Sequence, residues 1–334
     1  MRVLIIGGSG LISVGIVTAL RARGAEVTIF NRGRRAHDLP VDVQVITGDR
    51  ERVDEFVAAV SHRTWDVVID MICFTPAQAD ASVRAFSGRC QQFIFCSTVC
   101  TYGVKIPSGV LIDEDFRQEP ISGYGRDKLA CERRFMRAHA DGAFACTIVR
   151  PSHTYGEGSP LIDQLEFDPV AWDRIARREP VLCADSAIGL WQATHRDDCG
   201  AFFAGSCLNP ATYGRAYNAV REEVFTWRDY YRQVGEALGV RPRLVSMPAD
   251  WLVAQARGRF HFLAEISRFH GAYDTGRARR DVPSFHCQVR FVDGARRTLA
   301  DVRRRGAWKD ARGDTAYQAL VQMALGAGVE PVEA

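Results

Sequence analysis

The chain has 334 residues, of which 47% are hydrophobic and 25% charged, which is typical of an ordinary globular protein. The formal net charge of +3 is too small and too scattered to indicate nucleic acid as the main partner. Ten cysteines without the paired spacing of zinc sites favour reduced thiols, and they predict neither a metal centre nor a disulfide framework. No segment approaches the roughly 18 apolar residues of a membrane span, and the N-terminus has the pattern of a strand and a turn rather than a leader. We therefore expect a cytoplasmic protein that does not associate with membranes.

The first 150 residues alternate short apolar runs with longer segments of helical pattern. Most runs are rich in β-branched residues and nearly continuous, as expected of strands buried on both faces of a parallel sheet. Six such runs joined by helices predict repeated βαβ units, and therefore an α/β fold with a doubly wound parallel sheet. The predicted strands are Val3–Ile6, Val27–Phe30, Val43–Ile46, Val67–Ile72, Phe93–Cys96 and Cys146–Val149, and the predicted helices are Leu11–Arg23, Val53–Ser61, Pro76–Phe86 and Gly125–His139.

A glycine-rich turn, GGSGLIS, follows the first predicted strand and opens the first predicted helix. Gly7 and Gly10 have the spacing of a dinucleotide-binding turn, in which one glycine makes the tight bend and the other lets the backbone approach a pyrophosphate. The amide groups at the start of the following helix would point at that anion. Ser13 takes the place of the usual third glycine. The sequence therefore predicts a Rossmann-type dinucleotide site, with Gly7, Ser9, Gly10, Leu11 and Ile12 as cofactor-binding residues.

The residues after the second and third strands bear on the identity of the cofactor. Asn31 stands where an Asp or Glu usually binds a free ribose 2′-hydroxyl, and arginines follow at positions 32, 34 and 35. This pattern favours NADP over NAD, with Asn31 and Arg32 as contacts; a solvated arginine loop is the alternative. Asp49 is placed to bind the adenine amino group, unless it only closes a turn, and Arg50 beside it is a further candidate for cofactor binding.

After residue 150 the pattern becomes less regular. Strand signals return near 190–196 and 216–220, an amphipathic helix begins at Thr226, and a last helix is predicted near Val292. We predict a dinucleotide-binding domain of residues 1–156 plus about 190–222. An interwoven, smaller substrate-binding domain would take residues 157–189 plus 223–325, and residues 326–334 would form a tail. Such a domain would cover the carboxyl edge of the sheet, where ligands bind in open α/β sheets.

Tyr124 and Lys128 lie within SGYGRDKLACER, four residues apart on a predicted helix, and therefore share one helix face. A tyrosine with an ordinary pKa near 10 is a poor base at neutral pH. A neighbouring ammonium group, together with the positive nicotinamide of an oxidised cofactor, would lower that pKa toward the working range. Tyr124 is thus the candidate acid/base of a hydride transfer, and Lys128 would also bind the nicotinamide ribose.

Further motifs stand in a fixed order around this pair: Ser97-Thr98 after the fifth strand, Arg150-Pro151 followed by Tyr155-Gly156, and the stretch from His195 to Asp198. In their order and spacing, over nearly the whole chain, they resemble the extended short-chain dehydrogenase/reductase family of NAD(P)-dependent nucleotide-sugar epimerases and dehydratases. The resemblance implies that Thr98 hydrogen-bonds the reacting oxygen and that Pro151 contacts the cofactor. It also implies a homodimer, to which the helix of Tyr124 is expected to contribute.

Residues next to Thr98 narrow the chemistry that the resemblance implies. The family's dehydratases carry Asp-Glu directly after the Ser or Thr, and its decarboxylases carry Glu there, whereas this chain has Val99 and Cys100. We therefore expect neither reaction. Cys100, two residues before Tyr102, stands where 3,5-epimerising members carry an acid/base cysteine, and a thiol can exchange a proton with an acidified carbon. A small core residue is the alternative for Cys100.

Four other residues are candidate substrate contacts. His153 replaces the family's usual Asn, and it either faces the substrate or caps a strand end. Trp191 lies in a stretch without the arginine that many members use to bind a nucleotide diphosphate, which indicates an aromatic substrate contact or a core position. Arg290 and Arg268 are candidate replacements for that arginine.

We expect an NAD(P)-dependent epimerase or oxidoreductase whose substrate is a sugar, in the first instance a nucleotide-linked one. The alternative is an NADPH-dependent ketoreductase with a non-nucleotide substrate, which the missing arginine permits. A less favoured alternative follows from the segment VTIFNRG, which also resembles the chloroplast stem-loop-binding proteins, RNA-binding relatives of this fold.

Overall fold

The computed structural model describes residues 1–33, 42–106, 109 and 111–334. In its first half, strands alternate with helices, and all six predicted strands are present. A single 3₁₀ turn at Val99–Thr101 precedes the fourth helix. In chain order the elements are β1 (Arg2–Ile6), α1 (Leu11–Ala22), β2 (Glu26–Asn31), β3 (Gln44–Thr47), α2 (Val53–Val60), β4 (Trp65–Asp70), α3 (Pro76–Phe86), β5 (Cys90–Cys96), α4 (Gly123–Ala140) and β6 (Ala145–Pro151).

The second half contains shorter strands and more irregular connections. Its elements are β7 (His153–Tyr155), α5 (Ala171–Ala176), β8 (Val181–Ala184), β9 (Leu190–Trp191), β10 (Ala193–His195), α6 (Arg196–Ser206), β11 (Arg215–Ala219), β12 (Phe225–Thr226), α7 (Trp227–Leu238), β13 (Arg243–Met247), α8 (Ala249–Gln255), α9 (Gly276–Asp281), α10 (Phe291–Arg304), α11 (Thr315–Gly326) and β14 (Val332–Glu333).

Seven parallel strands form the central sheet in the order β11-β6-β5-β4-β1-β2-β3. The chain runs outward in one direction from β1 to β3 and in the other from β4 to β11. The connections that leave β1 and β4 therefore run in opposite directions along the sheet. This divergence opens a crevice at the carboxyl ends of these two strands. This arrangement confirms the predicted fold class.

Both faces of the sheet are buried, which explains the continuous apolar runs in the sequence. In β1, Val3 and Ile5 belong to the core under α1, α6 and α9, whereas Leu4 and Ile6 belong to the core under α2, α3 and α4. Successive side chains of a strand point to opposite faces of the sheet, and helices cover both faces. A polar side chain at any of these four positions would therefore be buried against a helix.

Compact contacts divide the chain into two units. The first comprises residues 1–154, 194–222 and 273–288, and the second comprises 155–193, 223–272 and 289–334. The sequence placed 273–288 in the substrate-binding domain. The structure groups this segment with the first unit because Ala278, Val282 and Phe285 are buried in the core under α1 and α6.

The second unit has a small sheet of its own, in the order β14-β13-β8, with β13 parallel to β8 and antiparallel to β14. Residues 332–333, assigned to the tail from sequence, therefore pair with a strand. Helix α7 begins at a capping box formed by Thr226 and Asp229, and its Tyr230 contacts Phe291 of α10 at 4.6 Å between ring centres. Helix α11, which the sequence analysis did not predict, places the Tyr317 hydroxyl where it accepts a hydrogen bond from Leu182 N at 2.9 Å.

Across the part of the chain that the structure describes, every helix is too short or too polar to cross a membrane.

Candidate active site

The glycine-rich turn lies at the carboxyl end of β1. Gly7 has a φ of 87°, a conformation that side chains rarely adopt, and a Cβ there would lie 2.5 Å from Cγ2 of Ile72. A Cβ on Gly8 would overlap Ile29. Helix α1 begins directly after Gly10 and has no acidic residue in its first turn. Its N-terminal amide groups are therefore available to an anion that approaches the turn.

Gly10 differs from the other two glycines because nothing crowds it. A Cβ there would meet only Ser13 Oγ at 3.6 Å and Gly7 O at 3.9 Å, so the missing side chain leaves open space beside the helix start. A cavity of about 330 Å³ opens there, bordered by the ends of β1, β4, β5 and β6. The space fits the phosphate and nicotinamide parts of a dinucleotide. Its lining residues are Gly7, Gly10–Ser13, Met71, Ile72, Phe74, Cys96–Thr98, Tyr124, Lys128, Pro151, Ser152 and Thr154.

Close helix packing behind the turn depends on glycines that the sequence analysis did not identify. Ser13, in the place of the third glycine, is buried and donates to Gly7 O at 2.9 Å. Instead, Gly15 and Gly200 bring α1 and α6 together, because a Cβ on either one would overlap the other helix. The position of α1 is thus fixed by a helix that comes about 180 residues later in the chain.

The end of β2 presents an amide where a carboxylate is usual. Asn31 is buried, and its Oδ1 accepts from Gly33 N at 2.8 Å; its side-chain nitrogen is also buried and has no hydrogen-bond partner among the described residues. Arg32 is exposed. Arg34 and Arg35, which contributed to the prediction of NADP, lie outside the described residues.

The two residues predicted after β3 have different surroundings. Asp49 accepts from Glu51 N at 3.1 Å and so closes a turn. Arg50 is buried: it donates to both carboxylate oxygens of Asp70, at 2.6 and 2.9 Å, and to Ser82 Oγ and Gln78 O. This buried ion pair ties β3 to β4 and α3. The guanidinium of Arg50 therefore stabilises the fold, whereas the sequence predicted that it would contact the cofactor.

Helix α4 carries Tyr124 in its first turn and Lys128 one turn later. The Ser122 hydroxyl caps the helix by accepting from Gly125 N at 3.0 Å. The Lys128 side chain is buried, and its Nζ donates to Cys96 O at 2.7 Å and to Cys73 O at 2.9 Å. Cys73 follows β4, and Cys96 is the last residue of β5. Their carbonyls accept two of the three ammonium protons, which leaves the third for a ligand.

Thr98 and Tyr124 meet at the rim of the cavity. Thr98 begins the 3₁₀ turn, and its Oγ1 accepts from Cys100 N at 3.2 Å. Partial burial of the Tyr124 hydroxyl raises the pKa of the phenol above its ordinary value, although 46% of the side chain is exposed; the thiols of Cys96 and Cys100 add to this rise, and the nearby Thr98 hydroxyl opposes it. The phenol is protonated at neutral pH, as an ordinary tyrosine is, and it can donate a proton.

Cys100 is not among the residues that line the cavity beside the glycine-rich turn, whereas Thr98 and Tyr124 are. It is half-buried, and burial raises the pKa of its thiol above the ordinary value. Both observations fit the small packing residue better than an acid/base. Its backbone, by contrast, lies directly against the start of α4.

A buried polar network beneath the cavity was missed by the sequence analysis. Glu132 lies one turn after Lys128 on α4 and binds Arg150 through two hydrogen bonds, at 2.7 and 2.9 Å. The same carboxylate accepts from Ser97 Oγ, and Arg150 also donates to the Tyr102 hydroxyl at 2.8 Å. The network joins the ends of β5 and β6 to the helix of Tyr124. The i, i+4, i+8 spacing of Tyr124, Lys128 and Glu132 was the signal available in the sequence.

The predicted substrate contacts are spread over both units. In the first unit, burial lowers the pKa of His153 to about 3, so its imidazole is neutral and cannot attract a phosphate by charge. In the second unit, Trp191 is buried and stacks on Trp227 with ring centres 4.6 Å apart, a core position. Arg290, also in the second unit, is exposed at the start of α10, with Asp293 at 3.5 Å.

A protein-family model and a relative of known activity match most of this chain. The model of the NAD dependent epimerase/dehydratase family matches residues 3–218. A 2′-dehydrokanamycin reductase of Streptomyces kanamyceticus is 33% identical over 285 residues, which span 85% of this chain and 80% of the relative.

Solved structures of low sequence identity share the fold. The UDP-glucose 4-epimerase of Thermotoga maritima, solved with UDP-glucose, superposes with a TM-score of 0.73 at 17% identity, covering 91% of this chain and 99% of its own. A UDP-glucuronic acid 4-epimerase from Bacillus cereus, solved with NAD, gives a TM-score of 0.71 at 16% identity, covering 93% and 99%.

Proposed function

This chain belongs to the NAD-dependent epimerase/dehydratase family and is an enzyme of the extended short-chain dehydrogenase/reductase type, and on that basis we propose that it reduces a ketone on a sugar ring. The observation that carries the proposal is geometric: Tyr124, Thr98 and Lys128 line one cavity beside the glycine-rich turn. Reduction of a carbonyl requires a proton donor at this place, whereas oxidation of an alcohol requires a phenolate.

When bound, a dihydronicotinamide would be the source of the hydride for the carbonyl carbon. Tyr124 donates its phenolic proton to the carbonyl oxygen, and Thr98 hydrogen-bonds the same oxygen as negative charge develops on it. Lys128 would use its third ammonium proton to bind the nicotinamide ribose. The buried ammonium also favours the phenolate that remains after proton transfer, since opposite charges stabilise each other in a site with little water.

Two observations support a ketone that is not linked to a nucleotide. The reductase relative, whose name gives 2′-dehydrokanamycin as its substrate, spans most of both units. In addition, Trp191 occupies the stretch where family members carry an arginine for the nucleotide diphosphate, and the indole is committed to a stack on Trp227. A keto-aminoglycoside, or a related keto-sugar without phosphate, is therefore the substrate class that we propose.

We also propose that the cofactor is NADPH. At the end of β2, Asn31 stands in place of a carboxylate and its Oδ1 is taken by Gly33 N, while Arg32 beside it is exposed. Donors and a positive charge suit a 2′-phosphate, which accepts hydrogen bonds, better than a 2′-hydroxyl that requires an acceptor.

An epimerase is the second candidate, because both solved structures above are epimerases of nucleotide sugars. The two functions differ in their net use of cofactor. We expect the protein to oxidise one NADPH per molecule of 2′-dehydrokanamycin, followed by the absorbance of the reduced nicotinamide, and to use NADH less well. Tyr124→Phe should abolish this turnover and retain cofactor binding. Interconversion of UDP-glucose and UDP-galactose without net NADPH consumption would instead establish the epimerase.

A further inference from the structure

We propose that Gly125 is a positioning residue: because it lacks a side chain, the first turn of α4 can lie against the carbonyl of Cys100, and this contact sets the distance between Tyr124 and Thr98. The inference rests on the proposed function, in which these two hydroxyls share the reacting oxygen.

The contact at Gly125 is made on two sides. A Cβ built there would lie 2.6 Å from Cys100 O and 2.9 Å from Cβ of Pro120. Carbon atoms pack at roughly 3.5–4.0 Å, so even the longer distance falls about half an ångström inside contact. At Gly123, two residues earlier on the same helix, a Cβ would meet only Arg126 Nη2 at 3.9 Å.

The backbone on the first side of Gly125 is fixed. The 3₁₀ turn of Cys100 is closed by hydrogen bonds from Thr101 N and Thr101 Oγ1 to Thr98 O, at 3.3 and 3.0 Å, and from Tyr102 N to Val99 O at 3.1 Å. Cys100 N itself donates to Thr98 Oγ1. Since the carbonyl of Cys100 and the hydroxyl of Thr98 belong to one closed turn, neither can yield to an added methyl group independently of the other.

The second side is fixed as well. Glu119 N, next to Pro120, donates to Tyr102 O at 3.3 Å. Gly103, which has a φ of 80°, passes so close to the backbone of Glu119 that a Cβ on Gly103 would overlap it. The added methyl group would therefore displace the start of α4 rather than its neighbours.

Displacement of the first turn moves Tyr124 but not Lys128. Tyr124 directly precedes Gly125, whereas Lys128 is held one turn later by the carbonyls of Cys73 and Cys96. A methyl group on Gly125 thus separates the phenol from Thr98 and leaves the cofactor contacts in place. Misplacement of a reacting group by about 1 Å can cost on the order of 10²-fold in rate.

The test compares Gly125→Ala with the matched control Gly123→Ala. We expect kcat for ketone reduction to fall by about 10²-fold in Gly125→Ala, with the NADPH dissociation constant unchanged, and to stay within about threefold of wild type in Gly123→Ala. NADPH binding is measured by nicotinamide fluorescence, and the thermal unfolding midpoint reports folding. Equal kcat values in the two variants would overturn the inference.

A double-mutant cycle separates positioning from a general structural effect. If Gly125 acts through the Tyr124–Thr98 pair, Gly125→Ala should cost much less in a Thr98→Ala background than in wild type, because residues acting as a unit are not additive. Full additivity would contradict the inference.

If Gly125→Ala does not fold, Ser122→Ala tests the same displacement, since it removes only the hydroxyl that holds Gly125 N. A lower kcat with unchanged NADPH affinity supports the inference, and an unchanged kcat overturns it. Wild-type protein without ketone turnover would contradict the proposed function instead.

Discussion

The Nζ of Lys128 lies 5.9 Å from the centre of the Tyr124 ring, and two of its protons are directed at the carbonyls of Cys73 and Cys96. Among the described residues, the hydrogen bonds of Lys128 therefore go to backbone carbonyls rather than to the phenol. Its direct contacts join the ends of β4 and β5, so it also holds together the floor of the cavity.

Lys128→Met should accordingly affect both activity and stability. The substitution keeps the length of the side chain but leaves two buried carbonyls without their donor, which costs roughly 1–3 kcal/mol for each group. We expect a kcat loss of at least about 10²-fold, weaker NADPH binding, and a lower urea midpoint. The control is Lys105→Met: Lys105 is half-exposed and paired with Glu119 at the surface, so its loss should change the unfolding free energy by less than about 1 kcal/mol. Equal midpoints for the two variants would contradict a structural role of Lys128.

Glu132→Gln should destabilise the protein strongly. Glu132 and Arg150 are both about 5% exposed, and removing one charge leaves the other buried without compensation, which costs about 3–5 kcal/mol. Chemical denaturation gives the free energy. In the control, Asp141→Asn removes the surface partner of Arg137 and should cost less than about 0.5 kcal/mol. A loss for Glu132→Gln no larger than that of the control would show that the network does not hold β5, β6 and α4 together.

Cys100→Ser tests whether the thiol has the acid/base role of the 3,5-epimerising family members. In a ketoreductase the thiol has no chemical role, and we expect kcat for ketone reduction to stay within about threefold of wild type. Cys287→Ser, at another half-buried cysteine of the first unit, is the matched control for stability. A loss of about 10²-fold confined to Cys100→Ser, with solvent deuterium no longer entering the product carbon, would assign an acid/base role to the thiol.

Asp163→Asn should remove a pH dependence of stability in the second unit. Asp163 is fully buried; burial, and then the Glu166 carboxylate, raise its pKa well above the ordinary value. The folded protein thus keeps a proton that the unfolded chain releases above about pH 4, so this residue lowers stability progressively as the pH rises toward the folded pKa.

In Asp163→Asn, Oδ1 is retained as the acceptor for Leu165 N and Glu166 N. We expect this variant to gain unfolding free energy relative to wild type on going from pH 5 to pH 8, by about 1.4 kcal/mol for each unit of pKa difference that falls in this window. Asp54→Asn, at a side chain that is 94% exposed, should show no such gain. Parallel pH profiles for wild type and Asp163→Asn would refute the assignment.

Much of the first unit could be predicted from the sequence because its signals are local. The apolar runs, the glycine turn and the spacing of Tyr124 and Lys128 each specify structure within a few residues. Arg50 shows the limit of this reasoning: next to Asp49 it resembles a cofactor contact, and only the fold brings Asp70 and Ser82 to it.

The unpredicted features depend on contacts between distant segments. Gly15 and Gly200 are ordinary helix glycines until α1 and α6 meet. Likewise, the segment 273–288 has no strand or helix period that would reveal its place in the first core. The substrate contacts were least accessible, because Trp191 gives the same sequence signal whether it faces a ligand or stacks on Trp227.

The first unit is built from three separate segments of the chain, and this affects how it folds during synthesis. A chain released from the ribosome after residue 156 would contain the glycine turn and the tyrosine, yet it would lack α6, β11 and the helix at 276–281 that bury one face of the sheet. The part of that face not covered by α1 stays exposed until about residue 288 has emerged, and translating the intervening stretch of about 130 residues at roughly 5–20 per second takes about 7–26 seconds. We therefore expect gene fragments ending near residue 156 to aggregate through this exposed apolar face.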